Sequence, residues 1–314
     1  MTTNITASMV KALRDKTGAG MMDCKTALTE TGGDMEQSID WLRKKGLSKA
    51  AKKADRIAAE GLIGVMAKGT VGAMVEVNSE TDFVARNDQF QDMVRKIAGL
   101  APEARGDLAK LLAMKAPGAS VSVADYVQEM IATIGENMSV RRTAVVSVPK
   151  GVVADYVHNK AADGLGKIGV LVGVESSGDA AALMALGRQL AMHVAAASPA
   201  AVTAEELDPA LIERERGVYT EQAQATGKSA DIIAKMVEGR LRKEFYQQVV
   251  LLQQTFLGAG GDGKATVEQT VKAAEKSVGA PIKVAGFVRY ALGEGIDKKD
   301  EDFAAEVAKA AGKR

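Results

Sequence analysis

The sequence predicts an α+β protein: a three-helix N-terminal module, two related α+β subdomains with antiparallel sheets, a helical hairpin inserted in the second, and a C-terminal helix. Three observations predict it. Apolar residues recur at helical spacing over residues 5–57, the pattern changes at Gly61 to short β-branched runs, and a strand, loop and helix order found after residue 60 recurs after about residue 150. At 314 residues the chain is longer than one hydrophobic core ordinarily serves, so several modules are expected. Aromatics are only 4% of residues and prolines number 6, which favours helix surfaces over an all-β sandwich.

In the first module, Thr6 and Ser8 offer N-caps and Met9, Val10 and Leu13 share a helical face, before Thr17-Gly18-Ala19-Gly20 breaks the pattern. A second helix carries Met22, Ala27 and Leu28 and ends at Gly32-Gly33; Asp34 caps a third with Ile39, Trp41 and Leu42. Arg43, Lys44, Lys45, Lys49, Lys52, Lys53 and Arg56 then stand against a single acid, Asp55, so residues 1–57 end in a basic connector. Such a run is either a solvated connector or a contact for nucleic acid or an acidic protein, and the first is the commoner case.

Leu62-Ile63-Gly64-Val65-Met66 and Val71-Gly72-Ala73-Met74-Val75-Glu76-Val77, separated by Lys68-Gly69-Thr70, form a hairpin that opens a first core subdomain, 58–150. A helix follows through Phe90, Met93, Val94 and Ile97, stopping at Gly99-Leu100-Ala101-Pro102. Another helix carries Tyr126, Met130, Ile131 and Ile134, and Val145–Val148 is a strand. The second subdomain takes residues 151–196 and 246–293, with strands at Ile168–Val174 and Ile282–Tyr290 and a helix from Leu183 to Val194 behind the cap Asp179. Residues 197–245 between its parts show no strand signal. There Leu211, Ile212, Val218 and Tyr219 make one helical stripe and Ile233, Val237, Leu241 and Phe245 the return stripe, across the turn Ala225-Thr226-Gly227-Lys228-Ser229. Two helices alone bury their apolar faces poorly, so this hairpin is expected to pack on a partner or a second copy. Residues 294–314 form a C-terminal module with Phe303 and Val307 on one side of an amphipathic helix.

Lys plus Arg is 41 and Asp plus Glu 40, a net charge of +1, which argues against bulk nucleic acid as the main partner. The lone cysteine, Cys24, allows no internal disulfide and fits a reducing compartment, so the cytoplasm is expected. The start of the chain lacks the pattern of a secretory signal, and no uninterrupted apolar run approaches the roughly 18 residues that span a bilayer, so no membrane partner is expected.

Signals for covalent chemistry are weak. Gly258-Ala259-Gly260-Gly261-Asp262-Gly263-Lys264 follows a phosphate-binding loop for its first positions, but Ala265 stands where Ser or Thr would hold magnesium, so a plain glycine loop is the better reading. His158, His193 and Cys24 have no metal-ligand spacing, and no Gly-x-Ser-x-Gly elbow occurs. His193, flanked by apolar residues, reads as a packed helix histidine; His158 is polar-flanked and suits a surface contact. No catalytic residue, cofactor or metal is expected.

The most informative segment is Thr81-Asp82-Phe83-Val84-Ala85-Arg86-Asn87, directly after a strand. In one reading Ser79 or Thr81 caps the next helix, Asp82 sits near its positive end and Phe83 enters the core. In the other, Phe83 projects from a rigid corner with Asp82 beside it as a charged probe. The residues alone leave both open.

Several motifs lie in the order found in bacterial translation elongation factor Ts proteins. They are Thr17-Gly18-Ala19-Gly20-Met21-Met22-Asp23-Cys24-Lys25, Asn78-Ser79-Glu80-Thr81-Asp82-Phe83-Val84, Ile134-Gly135-Glu136-Asn137, Ala191-Met192-His193-Val194-Ala195-Ala196, Met236-Val237-Glu238-Gly239-Arg240, and Gly286-Phe287-Val288-Arg289 through Gly293-Glu294-Gly295-Ile296. The chain resembles that family over nearly its whole length. The resemblance implies guanine-nucleotide exchange on elongation factor Tu, in its GDP-bound and nucleotide-free states, without covalent chemistry. It implies that Asp82 and Phe83 insert near the nucleotide and magnesium site of the GTPase, with Thr81 and Val84 completing the motif. It also makes the first module ubiquitin-associated-like and the hairpin a dimerisation insertion, hence a homodimer. By motif position it extends the partner contacts to Arg14, Met21 and Met22 in the first module, to Ile134 with Gly135, to His158, and to Phe303 and Val307 in the tail. Two other functions compete: an RNA-associated protein using the basic run from Arg43 to Arg56, and a nucleotide-binding enzyme using Gly258 to Lys264. Neutral overall charge and the lack of interleaved aromatics weaken the first, so no specific nucleic acid is expected.

Overall fold

Residues that alternate along the strands face two different neighbours, and this alternation sets the architecture. The computed structural model of the chain describes residues 5–258 and 263–297; Phe303, Val307 and the centre of the glycine-rich run 258–264 lie outside them. β1 (Glu60–Lys68) and β2 (Val71–Ser79) form the expected hairpin, and β3 (Met138–Ser147) adds to β2. β4 (Gly151–Ala162) and β5 (Leu165–Glu175) form a second hairpin, and β6 (Lys283–Ala291) pairs with β5. All pairings are antiparallel, and a short pairing of Ile63 and Gly64 with Gly166 and Leu165 joins both groups into one six-stranded sheet.

On β2, Ala73, Val75 and Val77 pack under helices of the first half, while Met74 points the other way. On β5, Val170, Val172 and Val174 pack under helices of the second half, while Leu171 points to the centre. Ile63, Val65, Met74, Val153, Val157 and Leu171 therefore meet in a shared middle layer. The sheet is folded on itself, and β1, β2 and β5 are buried along most of their length on both faces. That explains why these runs read as continuously apolar rather than alternating. The halves also share a backbone device: Gly61 at φ +123° and Gly151 at φ +130° each start a hairpin where an added Cβ would lie 2.1 Å from a facing carbonyl, of Val77 and Val174 respectively.

The N-terminal module has the three expected helices: α1 (Ala7–Thr17), capped by the Thr6 hydroxyl, α2 (Met21–Glu30), and α3 (Met35–Ala51), capped by Asp34. Val10, Leu13, Cys24, Ala27 and Leu28 fill its core. The basic run is helical only to Ala51 and continues as turns. α4 (Asp88–Ala104) covers β1 and β2, and α5 (Leu108–Ala113) and α6 (Val123–Ile134) complete the first half. α4 runs past its expected stop, with Pro102 inside it. A proline there forgoes one hydrogen bond, and burial of Ala98, Ala101 and Ala104 outweighs that loss.

In the second half, α7 (Ala180–Ala197) lies on β4 and β5. It alone among the described residues is long and apolar enough to cross a membrane, and its apolar residues Leu183, Leu186, Leu190 and Val194 serve the core. α8 (Pro209–Gln224) and α9 (Ala230–Arg240) form the inserted hairpin. α9 continues through a π-helical turn, Leu241–Phe245, into α10 (Tyr246–Val249). Tyr219, Ala223, Val237, Leu241 and Phe245 bury one another there, with Ala201, Leu207 and Val250 from the flanking chain. The hairpin thus closes much of its apolar stripe without a partner.

Two elements lack a counterpart in the sequence reading. β4 carries Asp155, Tyr156, His158, Asn159 and Lys160, too polar to stand out as a strand. α11 (Val267–Val278) is announced by a capping box in which the Thr266 hydroxyl and the Gln269 side chain each bond the other's backbone N–H.

Candidate functional site

Beyond Ser79 the chain leaves β2 and must turn into α4. Val84 and Ala85 are buried in a single 3-10 turn, Val84–Arg86, and anchor the corner from below. Asn87, not Ser79 or Thr81, caps α4: its Oδ1 accepts from Gln89 N at 2.9 Å and Phe90 N at 3.1 Å. The corner is too long for the earlier hydroxyls to reach the helix, and both are engaged elsewhere. The Ser79 hydroxyl donates to the Thr81 carbonyl at 3.0 Å, and the Thr81 hydroxyl to Glu136 Oε1 at 2.6 Å. Phe83 does not enter the core. It is 75% exposed, next to the exposed Asp82.

A groove runs beside Asp82. Leu62 and Ala85 lie along it, with Arg86 and Asp88 on the corner side and Asn159, Lys160 and Lys167 from the β4–β5 hairpin opposite. His158 is exposed at this end of β4, with its Nδ1 3.1 Å from the Tyr156 hydroxyl. Ile134 and Gly135, at the end of α6, adjoin the corner through the next residues: Thr81 N–H donates to Glu136 Oε2 at 2.9 Å and Asn137 N–H to Glu80 Oε1 at 2.5 Å. The structure thus brings Thr81–Val84, Ile134–Gly135 and the His158 end of β4 to one region. Met21 and Met22 are exposed at the start of α2, and Arg14 is exposed on α1. The turn between these helices meets α6 at Thr133, one residue before Ile134.

Four cations of the basic run have protein partners, while Lys44 and Lys52 are exposed. Arg43 pairs with Glu129 at 3.6 Å, Lys45 with Asp23 at 3.2 Å, Lys53 donates to the Gly135 carbonyl, and Arg56 pairs with Glu80 at 3.4 Å. Burial pushes the Glu129 carboxyl up, against the pull of Arg43. Lys45 also lies 4.5 Å from the Trp41 ring centre. The contacts of Arg43, Lys53 and Arg56 tie the first module to the core, whereas those of Lys45 lie within the module.

His193 is buried as expected. Leu257 N–H donates to Nδ1 at 3.2 Å, so Nε2 holds the proton and donates to Gln254 Oε1 at 2.8 Å; burial pushes this imidazole down, only partly opposed by Gln254. Cys24 is buried, and that burial raises its thiol.

Sequence reasoning passed over Glu136, Asn137 and Glu80. Glu136 and Thr81 are 55 residues apart, so no local spacing signals their contact. The one available signal was that Glu136 and Asn137 immediately follow Ile134 and Gly135 in a motif already singled out.

The sequence model of the family described as "Elongation factor TS" matches residues 80–294, which include the corner, the 134–137 turn, the β4–β5 hairpin and the inserted helical hairpin. The chain belongs to the elongation factor Ts family. It is 66% identical over 307 residues to Elongation factor Ts of Parvibaculum lavamentivorans, covering 98% of each chain. It is 58% identical over 306 residues to that of Rhizobium leguminosarum bv. trifolii, again covering 98% of each. To that of Rhodospirillum centenum it is 56% identical over 308 residues, 98% of this chain and 99% of the relative. Membership of the family implies a nucleotide-exchange role toward elongation factor Tu in translation elongation.

Proposed function

We propose that this chain is a cytoplasmic guanine-nucleotide exchange factor for elongation factor Tu that acts by presenting Phe83, flanked by Asp82, to the nucleotide and magnesium region of the GTPase. The observation that carries this is a large apolar side chain, 75% exposed, on a corner held at both ends. A solvent-facing phenylalanine gains nothing for the free fold, whereas burying it on a partner is worth about 1.5–3 kcal/mol. If that burial occurs only in the nucleotide-free state, it biases the GTPase toward that state by roughly tenfold to a hundredfold. Coupling is reciprocal, so incoming GTP expels the factor. No covalent step is needed.

In this reading Thr81 and Val84 hold the motif, and Ile134, Gly135 and His158 flank it. Arg14, Met21 and Met22 form a second contact on the first module, where the exposed methionines suit an adaptable apolar surface. The tail module, 294–314, supplies a third through Phe303 and Val307. The inserted hairpin is a dimerisation arm, with Val218 and Ile232 exposed upon it.

Stopped-flow release of a fluorescent GDP analogue from elongation factor Tu tests the reading. Strong, saturable acceleration by the chain is expected, and Phe83→Ala should lose roughly tenfold or more of it. No acceleration by folded protein would overturn the exchange role, and an undiminished rate with Phe83→Ala would overturn the insertion.

A further inference from the structure

We propose that Glu136 is the positioning residue of the exchange corner: its carboxylate, acting through Thr81, sets the direction in which Phe83 projects. The inference rests on the exchange reading and adds to it a residue that acts through Thr81.

The two ends of the corner are held in different ways. Its far end is secured by burial of Val84 and Ala85, by Gln91 Nε2 donating to the Ala85 carbonyl at 2.9 Å, and by the Asn87 cap. Its near end has no such packing. Thr81 is instead held through every polar atom it has: the N–H and the hydroxyl on the two oxygens of Glu136, the carbonyl on the Ser79 hydroxyl. Both Thr81 donors thus meet one carboxylate, and each oxygen takes one of them. A glutamine offers only one oxygen, and its NH2 group would face a donor. Charge-assisted bonds of this kind are the strong ones, and they fix the backbone two residues before Phe83. Positioning of this order governs rate because a misplaced contact no longer matches the state it must stabilise.

The turn that carries Glu136 is itself braced. Lys53 donates to the Gly135 carbonyl, Asn137 Nδ2 donates to the carbonyls of Arg56 at 2.7 Å and Ala54 at 3.3 Å, and Asn137 N–H donates to Glu80. Connector, turn and corner therefore form one continuous polar chain, with Glu136 as its link to Thr81.

Two measurements test this in the full chain. In stopped-flow GDP release, Glu136→Ala should lower the maximal rate about tenfold, with little change in the half-saturating concentration, and Glu136→Gln should fall between it and the parent. Adding Glu136→Ala to Phe83→Ala should change the rate by less than about twofold, because the group being positioned is already gone. An equal loss in both backgrounds, or none in either, overturns the proposal. Hydrogen exchange of the free chain is independent of the GTPase. Glu136→Ala should speed exchange at residues 81–87 while β2 and α4 stay protected, and uniform loosening or no change overturns positioning. If Phe83→Ala alone leaves GDP release intact, the insertion reading fails, and the exchange pattern still decides whether Glu136 orders the corner.

Discussion

Glu76 and Arg142 face each other across β2 and β3, with Oε2 and Nε 2.5 Å apart, the carboxylate fully buried and the guanidinium 4.0 Å over the Tyr290 ring. The same carboxylate accepts from Gly293 N–H at 2.8 Å, Asn78 Nδ2 at 3.1 Å and Arg141 at 3.1 Å. One buried charge therefore joins the first hairpin, β3 and the exit of β6. A buried ion is tolerated only when its oxygens are saturated in this way.

Burial alone would raise the Glu76 carboxyl, but the Gly293 N–H, Arg142 and Asn78 together outweigh it and hold it below its ordinary value of 4.5. A carboxyl depressed in the folded state contributes stability that is present above the unfolded value and is lost as pH falls through the folded one. Denaturant unfolding between neutral and acid pH should show this loss for the parent and a weaker pH dependence for Glu76→Gln. At neutral pH Glu76→Ala should cost about 3 kcal/mol, because it strands the arginines. A cost within experimental error would show that the network does not specify the fold.

His193 also loses its contribution as pH falls, but here the form that the fold favours is the neutral one. Protonation would place a donor at Nδ1 against the Leu257 N–H, and burial already disfavours the charged ring. Its contribution to stability is complete above its ordinary value of 6.5 and declines as pH falls from there through the depressed folded value. Nitrogen NMR of the imidazole should show the neutral Nε2–H tautomer persisting below pH 6.5 in the folded chain. Observation of the Nδ1–H tautomer would contradict the assigned bonds.

Much of the fold was legible because it is local. Caps such as Thr6 and Asp34, the turn at Gly69 and the valine-rich strands act within a few residues and leave their mark in sequence. β4 escaped because its outer end is polar. The orientation of Phe83 was not legible for a different reason: a capping corner and a projecting corner use the same residue types. What separates them is Asn87, which takes over the cap, and Glu136, which takes Thr81, the latter contact existing only once α6 has packed. The Glu76 network likewise joins residues as far as 217 positions apart.

The two hairpin starts give a prediction about the related halves. Gly61 and Gly151 have nearly the same φ and meet nearly the same backbone atoms, so alanine is excluded at both by conformation and by the facing carbonyl. Gly61→Ala and Gly151→Ala should each destabilise by about 1–3 kcal/mol or more, read as a lowered unfolding midpoint. Alanine at Gly217, in α8 with open space around it, should be neutral or stabilising, since it removes a flexible residue from a helix. Equal effects at all three positions would mean that the close approach carries no cost.

The basic connector separates the exchange reading from an RNA-binding one. A nucleic-acid surface needs cations that are free to meet phosphate, and of this run Arg43, Lys45, Lys53 and Arg56 are engaged with Glu129, Asp23, Gly135 and Glu80 while Lys44 and Lys52 are exposed. Exposed pairs of this sort contribute roughly 0–1 kcal/mol each, so their effect lies less in global stability than in where the first module sits. Replacing Lys53 and Arg56 together by alanine should leave the unfolding midpoint nearly unchanged while speeding protease cleavage within residues 52–58, because the segment loses the Lys53 bond to Gly135 and the Arg56 pair with Glu80 and keeps only the Asn137 bonds to its backbone. RNA retention on filters at near-physiological salt should be no tighter than the roughly micromolar range of non-specific binding, for parent and variant alike. Tight, salt-sensitive retention that the double variant abolishes would instead assign these cations to a nucleic acid, and their contacts within the chain would then describe only the unbound state.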